Sequence, residues 1–290
     1  MSQTTAPDVG PDFVSHVRDR TPMPFEHGLV GHPLLQLDAI AELAEELGPD
    51  HISAQEAVKP LVASSTSFRD VAPGGIAAAI RELAVNDSWF TLLNIERSPD
   101  YRALVDEVLD AVAAGGGMDL RGLERRMGFV FASSPGAITS AHFDVEHSLL
   151  FQLSGHRTLT FGDWASRDQR TSEVDRYWSQ GSFGRLAQMP RERARHALEP
   201  GVGCYIPPYV PHWLTNENAP SLSLTLTFYE PSNEREALVG AFNARARRLG
   251  LSRTRPYGEA PLRDRGKAGV MRTGNRIKRL RGRGETSSAR

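Results

Sequence analysis

The sequence predicts an α+β protein with a mainly β core: a double-stranded β-helix, or jelly roll, with helical flanks at both its N-terminal and C-terminal ends. Three observations predict it. Helical periodicity dominates the first 124 residues, short strands and turns take over from Arg126, and a closing helical pattern begins at Glu230.

Residues 1–32 are rich in Pro and Gly and read as an extended arm. Leu37, Ile40, Leu43, Ala44 and Leu47 then fall on one helical stripe, and Gly48 supplies the C-cap. Ala72-Pro-Gly-Gly is a turn, followed by a helix through Leu83 and a strand from Trp89 to Ile95. Pro99 to Ala114 forms an amphipathic helix with Tyr101, Leu104, Val105, Val108, Leu109 and Val112 inward, closed by the glycines 115–117. Strands follow at 128–132, 140–144, 148–153, 156–161, 203–206 and 222–229. Ser154-Gly155 has the composition of a two-residue hairpin loop, which would set the register of the strands beside it. Residues 163–199 form a charged insert without clear strand alternation, a length of chain suited to substrate selection. Residues 230–249 read as a helix with Leu238, Phe242 and Leu249 on a short apolar stripe. The organisation is therefore a buttress at 1–124, a β core at 125–230 containing the insert, and a C-terminal helix with a basic tail at 231–290.

Composition excludes several classes. The 290 residues are 40% hydrophobic and 24% charged, and no apolar run approaches the roughly 18 residues of a membrane span. The opening residues, Met-Ser-Gln-Thr-Thr-Ala-Pro-Asp, lack the basic and apolar regions of a secretory signal. Cys204 is the only cysteine, so no intrachain disulfide forms, and a cytoplasmic location is expected. The net charge is −1, yet residues 252–290 hold 12 Lys/Arg against 3 Asp/Glu, a local +9. Such a tail leaves nucleic-acid binding open, but with no aromatic residue beyond Tyr257 among the basic ones a solvated tail touching its own acidic body is the expectation.

Chemistry concentrates at His142-Phe143-Asp144 and at His212, far downstream in Tyr205-Ile-Pro-Pro-Tyr-Val-Pro-His-Trp213. Two imidazoles and one carboxylate fill one face of an octahedron around a non-haem Fe(II) and leave the other positions open. Alternate residues of a strand point the same way, so His142 and Asp144 can reach one ion while Phe143 packs behind. His147 has the wrong phase to share that strand face, and His156 alternates oppositely to Arg157.

Flanking residues carry a resemblance. Thr139 stands three residues before the first ligand, Gln152-Leu-Ser-Gly-His-Arg157 follows it, and Pro200-Gly-Val-Gly-Cys-Tyr-Ile-Pro-Pro-Tyr-Val-Pro-His212 leads to the distal histidine. Over residues 125 to 230 the chain resembles the Jumonji-C (JmjC) or cupin-like Fe(II)/2-oxoglutarate oxygenases. The resemblance implies metal ligation by His142, Asp144 and His212, with O2 and 2-oxoglutarate as cosubstrates and succinate and CO2 as products. It places Arg157 and Thr139 on the far carboxylate of 2-oxoglutarate; should Arg157 not hold that charge, Arg126 or Arg185 are the next candidates. Ser148 and Thr227 stand where several asparaginyl hydroxylases of the family carry Asn, so cosubstrate contacts fall to shorter side chains and those relatives' substrate does not carry over. The implied reaction is hydroxylation of an amino-acid side chain in a peptide, a protein or a free amino acid; a cupin that does not use 2-oxoglutarate and a non-catalytic binding module are the rivals. Helices after the barrel often form dimer interfaces in relatives, so a homodimer through residues 230–249 is expected. The alternative is a monomer with that stripe packed on its own barrel.

Overall fold

The computed structural model describes residues 7–62, 75–119, 123–180, 184–251 and 254–285, the side chains at 180, 275 and 277–285 excepted. The turn expected at 72–75 lies outside them up to Gly75. In chain order the elements are α1 (Phe13–Asp19), β1 (Met23–Glu26), α2 (Leu37–Leu47), β2 (Ile52–Glu56), α3 (Ile76–Arg81), β3 (Ser88–Leu93), α4 (Pro99–Gly115), β4 (Glu124–Ser133), β5 (Ile138–His142), β6 (His147–Ser154), β7 (Arg157–Asp163), α5 (Arg167–Gln180), β8 (Arg191–Leu198), β9 (Val202–Ile206), β10 (His212–Asn216), β11 (Ser221–Tyr229), α6 (Pro231–Arg248) and α7 (Pro261–Glu285). They fall into two compact units, Met1–Ala165 with Arg185–Glu230, and Ser166–Gly184 with Pro231–Arg290.

The first unit is the jelly roll. A seven-stranded sheet runs β1-β9-β6-β11-β4-β3-β2, and a four-stranded sheet runs β5-β10-β7-β8. All pairings between these strands are antiparallel. Strand β11, Ser221-Leu-Ser-Leu-Thr-Leu-Thr-Phe-Tyr229, shows why the large sheet has two distinct faces. Leu222, Leu224, Leu226 and Phe228 join Leu149, Phe151 and Leu153 in one core cluster with helices α2, α3 and α4. The alternating partners, Ser221, Ser223, Thr225 and Thr227, are buried on the opposite face. A smaller apolar cluster, Leu150, Leu159, Phe161, Leu198, Cys204, Ile206 and Leu214, draws on both sheets and fills part of the barrel between them. Cys204 is packed there, and burial pushes its thiol pKa up to about 12, so it is an inert core residue.

Several expectations change. The arm at 1–32 contains helix α1 and strand β1, and β1 extends the large sheet by pairing Met23–Glu26 with Val202–Tyr205. Ser154-Gly155 does not make a hairpin: β6 pairs with β9 and β11 in one sheet, whereas β7 pairs with β10 and β8 in the other. The link instead carries the chain from one sheet to its opposite. Gly155 is needed there because its φ is +72° and a Cβ would stand 2.2 Å from the carbonyl oxygen of Pro220. The insert at 163–199 contains helix α5 and strand β8, the latter half-exposed on the edge of the small sheet and therefore polar along much of its length.

The second unit is helical. Helices α5 and α6 approach closely at Gly240, where a Cβ would meet the Trp178 indole at 2.5 Å. Arg170 pairs with Glu236 at 2.9 Å, and Arg247 pairs with Asp175. The basic tail is largely helix α7, whose Ala268 and Met271 cover Leu238 and Phe242. The stripe on α6 thus finds its cover in the chain's own last helix, and Leu249 stays 82% exposed. No helix among the described residues is long and apolar enough to cross a membrane.

Candidate metal centre and anion pocket

His142 ends β5 and His212 begins β10, and the antiparallel register sets them directly opposite each other. Their ring centroids are 4.1 Å apart. Asp144 lies two residues beyond the end of β5, in the turn rather than in the strand expected to hold it. Its carboxylate stands 4.0 Å from His142 Nε2 and 3.8 Å from His212 Nε2. The turn is held by Tyr209 N–H donating to the Asp144 carbonyl at 2.7 Å. Behind it Phe143 is buried, stacked on Tyr209 at 5.8 Å and edge-on to Trp164 at 5.5 Å.

Hydrogen bonds fix which ring nitrogen faces the centre. His142 Nδ1 lies 2.9 Å from the Ser140 carbonyl and His212 Nδ1 lies 3.0 Å from the Val210 carbonyl. A carbonyl only accepts, so each Nδ1 carries the proton and each Nε2 presents its lone pair to the centre. Burial, reinforced by His212, pushes the His142 pKa down to about 4, which keeps the imidazole neutral. Ser148 Oγ donates to Asp144 Oδ2 at 3.0 Å. Among the described residues, His142, Asp144 and His212 form the group of three ligating side chains close enough to share one ion. Two imidazoles with Nε2 toward the centre and one oriented carboxylate fit a divalent iron.

The other sequence candidates separate cleanly. His147 is buried with Nδ1 2.7 Å from the Tyr205 hydroxyl, and its ring is stacked between Tyr205 and Phe228. His156 is exposed. Arg126 pairs with Asp106 at 3.2 Å and Asp110 at 2.6 Å, its charge already matched by α4. Arg157 is 3% exposed; its Nη1 donates to Ser223 Oγ at 2.9 Å and its Nη2 to Thr139 Oγ1 at 3.1 Å. Its Nε has no partner among the described residues, and no carboxylate there pairs with it. Burial lowers its pKa to about 10. A buried cation held by neutral hydroxyls is poorly compensated and suits an incoming carboxylate.

Ser148 is committed to Asp144. Thr227, opposite Ser148 in the β11–β6 register, keeps a buried hydroxyl without a partner among the described residues. Glu146 is half-buried: Tyr229 OH donates to it at 2.9 Å, and burial followed by Asp144 raises its pKa to about 7. Trp213 packs with 6% exposure, and Asn216 satisfies strand ends by donating to Ser133 Oγ at 2.9 Å and the Ser134 carbonyl at 3.0 Å. Sequence reasoning missed Ser223, for which the alternation of Ser221-Leu-Ser-Leu-Thr-Leu-Thr was the available signal.

A jelly roll that brings two histidines and one carboxylate together defines the class: a cupin-type barrel with a candidate facial metal site. More particularly, residues 125–235 match the family model of the JmjC domain. Solved structures with the same fold include that of Escherichia coli YcfD, at 15% identity and a TM-score of 0.54, covering 91% of this chain and 66% of that one. Another is YcfD, described as a ribosomal oxygenase, in complex with cobalt and 2-oxoglutarate, at 14% identity and a TM-score of 0.50, covering 91% and 65%. The chain spans about two thirds of the length of these relatives. No curated protein matches by sequence.

Proposed function

We propose that this protein is an Fe(II)- and 2-oxoglutarate-dependent oxygenase that hydroxylates an amino-acid side chain in a peptide, a protein or a free amino acid. The observation that carries the reading is the pairing of the three-ligand centre with Arg157, a buried cation held by Thr139 and Ser223 and paired with no carboxylate among the described residues. The match of residues 125–235 to the JmjC family model and the cobalt and 2-oxoglutarate bound by the structurally similar YcfD support it.

His142, Asp144 and His212 would hold the iron, and the bound iron supplies the oxidation that converts 2-oxoglutarate and O2 to succinate and CO2 while one oxygen atom enters a substrate C–H bond. Arg157 receives the far carboxylate of 2-oxoglutarate, its guanidinium oriented by two hydroxyls so that little side-chain freedom remains to be lost. Thr227 contributes a hydroxyl along the same inner face, while Ser148 positions Asp144 rather than the cosubstrate. The Phe143–Tyr209–Trp164 stack excludes water from behind the ligand turn.

Succinate release from 2-oxoglutarate with iron and ascorbate, assayed with amino-acid and peptide pools, tests the reading. Metal-dependent turnover without 2-oxoglutarate would favour a cupin of other chemistry, and no turnover with any pool would favour a binding module. A homodimer, on this reading, uses the surface beyond Leu238, since α7 already covers that residue; sedimentation of the full chain measures it.

A further inference from the structure

The free edge of β5 is closed by two segments that sequence reasoning did not connect to the site. Along its length Ile138 N–H donates to the Ala57 carbonyl at 2.8 Å and Ala141 N–H to the Leu61 carbonyl at 2.7 Å. Ser140 Oγ also donates to the Pro60 carbonyl at 2.7 Å. Toward the metal end, Leu186 N–H donates to the Ala141 carbonyl at 2.9 Å, and Arg185 forms a backbone bridge with His142 itself. The strand that carries the first ligand is thus flanked by residues 57–61 and 185–186.

Their side chains converge. Lys59 Nζ sits 3.9 Å from the centre of the Trp89 ring and donates to Gln55 Oε1 at 2.9 Å. Arg185 Nη2 donates to that same oxygen at 2.8 Å. Gln55 is 4% exposed and is itself steadied by donating to Ser53 Oγ at 3.2 Å. No carboxylate among the described residues pairs with Lys59, whose stabilising neighbours are one neutral amide and one ring face. A half-buried cation whose partners are one neutral amide and one ring face is poorly compensated, and an arriving anion supplies the missing charge. Burial, followed by Arg185 and Arg157, already pushes the Lys59 pKa down to about 7.

The cosubstrate does not account for this group, because its far carboxylate is matched by Arg157 between Thr139 and Ser223. We propose that Lys59, with Gln55 and Arg185, forms a substrate subsite that receives a carboxylate, so that the substrate is an acidic residue of a peptide or a free amino acid presenting its carboxylate. This rests on the oxygenase reading and narrows its substrate class. Lys59 acts as a positioning residue: it fixes the anionic end of the substrate, and with it the C–H bond offered at the centre.

The test uses the full chain loaded with Mn(II) and N-oxalylglycine, an unreactive analogue of 2-oxoglutarate. Labelled peptide pools with a fixed central Glu or Asp, Gln or Asn, or Lys or Arg are titrated by fluorescence anisotropy, alongside free glutamate and aspartate by calorimetry. Binding of the acidic-centred pool, of the free acidic amino acids, or of both is expected. That binding should weaken by about tenfold or more in Lys59→Gln and recover in Lys59→Arg. The wild-type preference should also decay as pH rises above about 7, while Arg185 and Arg157 stay charged, and the decay should disappear in Lys59→Arg. Equal binding of all pools, a preference for the basic pool, or an unchanged acidic preference in Lys59→Gln overturns the proposal. So does a loss of N-oxalylglycine affinity in Lys59→Gln as large as that in Arg157→Ala, which would assign Lys59 to the cosubstrate. Failure of wild-type protein to bind N-oxalylglycine defeats the oxygenase reading instead, and the pools titrated onto the Mn(II) protein alone still read the subsite.

Discussion

The two faces of the large sheet are built from the same strands and do opposite work. On one, Leu149, Phe151, Leu222, Leu224, Leu226 and Phe228 lock against the N-terminal helices. On the other, one residue along in each strand, Ser148, Ser223, Thr225 and Thr227 line the barrel with hydroxyls. The apolar face holds the fold together, and the polar face carries groups that the fold alone does not fully satisfy. Thr227 Oγ1 on that face, and Arg157 Nε on β7 of the small sheet, whose guanidinium reaches Ser223 on it, have no partner among the described residues. Substitutions on the two faces should therefore separate stability from binding.

The largest effect is expected at the centre. His212→Ala should reduce succinate formation to background while the thermal unfolding temperature of the metal-free protein changes little, because a ligand is lost but the apolar face is untouched. Retained turnover and metal content in that variant would break the assignment. On the other face, Leu224→Ala should lower stability by about 2–5 kcal/mol, read from denaturant midpoints, since the residue is fully buried in the core. Its folded fraction should bind 2-oxoglutarate as wild type does; altered binding would show that the two faces are not independent.

A smaller effect comes from acid. Burial holds the pKa of His27 at about 4 and that of His147 at about 3, both below the ordinary value of 6.5. Both are neutral in the folded protein but protonated in the unfolded chain below pH 6.5, so unfolding takes up protons. Stability is then lost as pH falls from about 6.5 toward 4, by on the order of a few kcal/mol per histidine. Urea midpoints measured at pH 7, 5.5 and 4.5 check the sign, and a flat profile would contradict it. The smallest expected effect is at Thr227→Val, which removes an unpartnered hydroxyl. It should leave stability unchanged or raise it by about 1 kcal/mol or less, while 2-oxoglutarate affinity drops several-fold.

Much of this contrast was legible in the sequence. Strict alternation in β11 and the stripe of α4 declared which side of each element would be apolar, and the flanking motifs singled out His142, Asp144, His212, Thr139 and Arg157. What was not legible depended on distant pairing. Gly155 looked like a hairpin glycine because composition reports the turn and not which sheet each flanking strand joins. Strand β8 hid because an exposed edge strand needs little hydrophobic alternation. Ser148 was read toward the cosubstrate, but Asp144 falls in the turn after β5 and its carboxylate is within reach of that hydroxyl. Lys59 lies 83 residues before the first ligand, and only the backbone bonds to β5 bring it to the site.

The central claim is that the inner face holds a metal and a dicarboxylate together, and calorimetric titration of 2-oxoglutarate into the Mn(II)-loaded protein tests it most directly. Wild-type protein should bind 2-oxoglutarate only with metal present. Arg157→Ala should weaken that binding by roughly 2–5 kcal/mol while leaving Mn(II) affinity intact. Binding that ignores the metal, or that survives unchanged in Arg157→Ala, would contradict it.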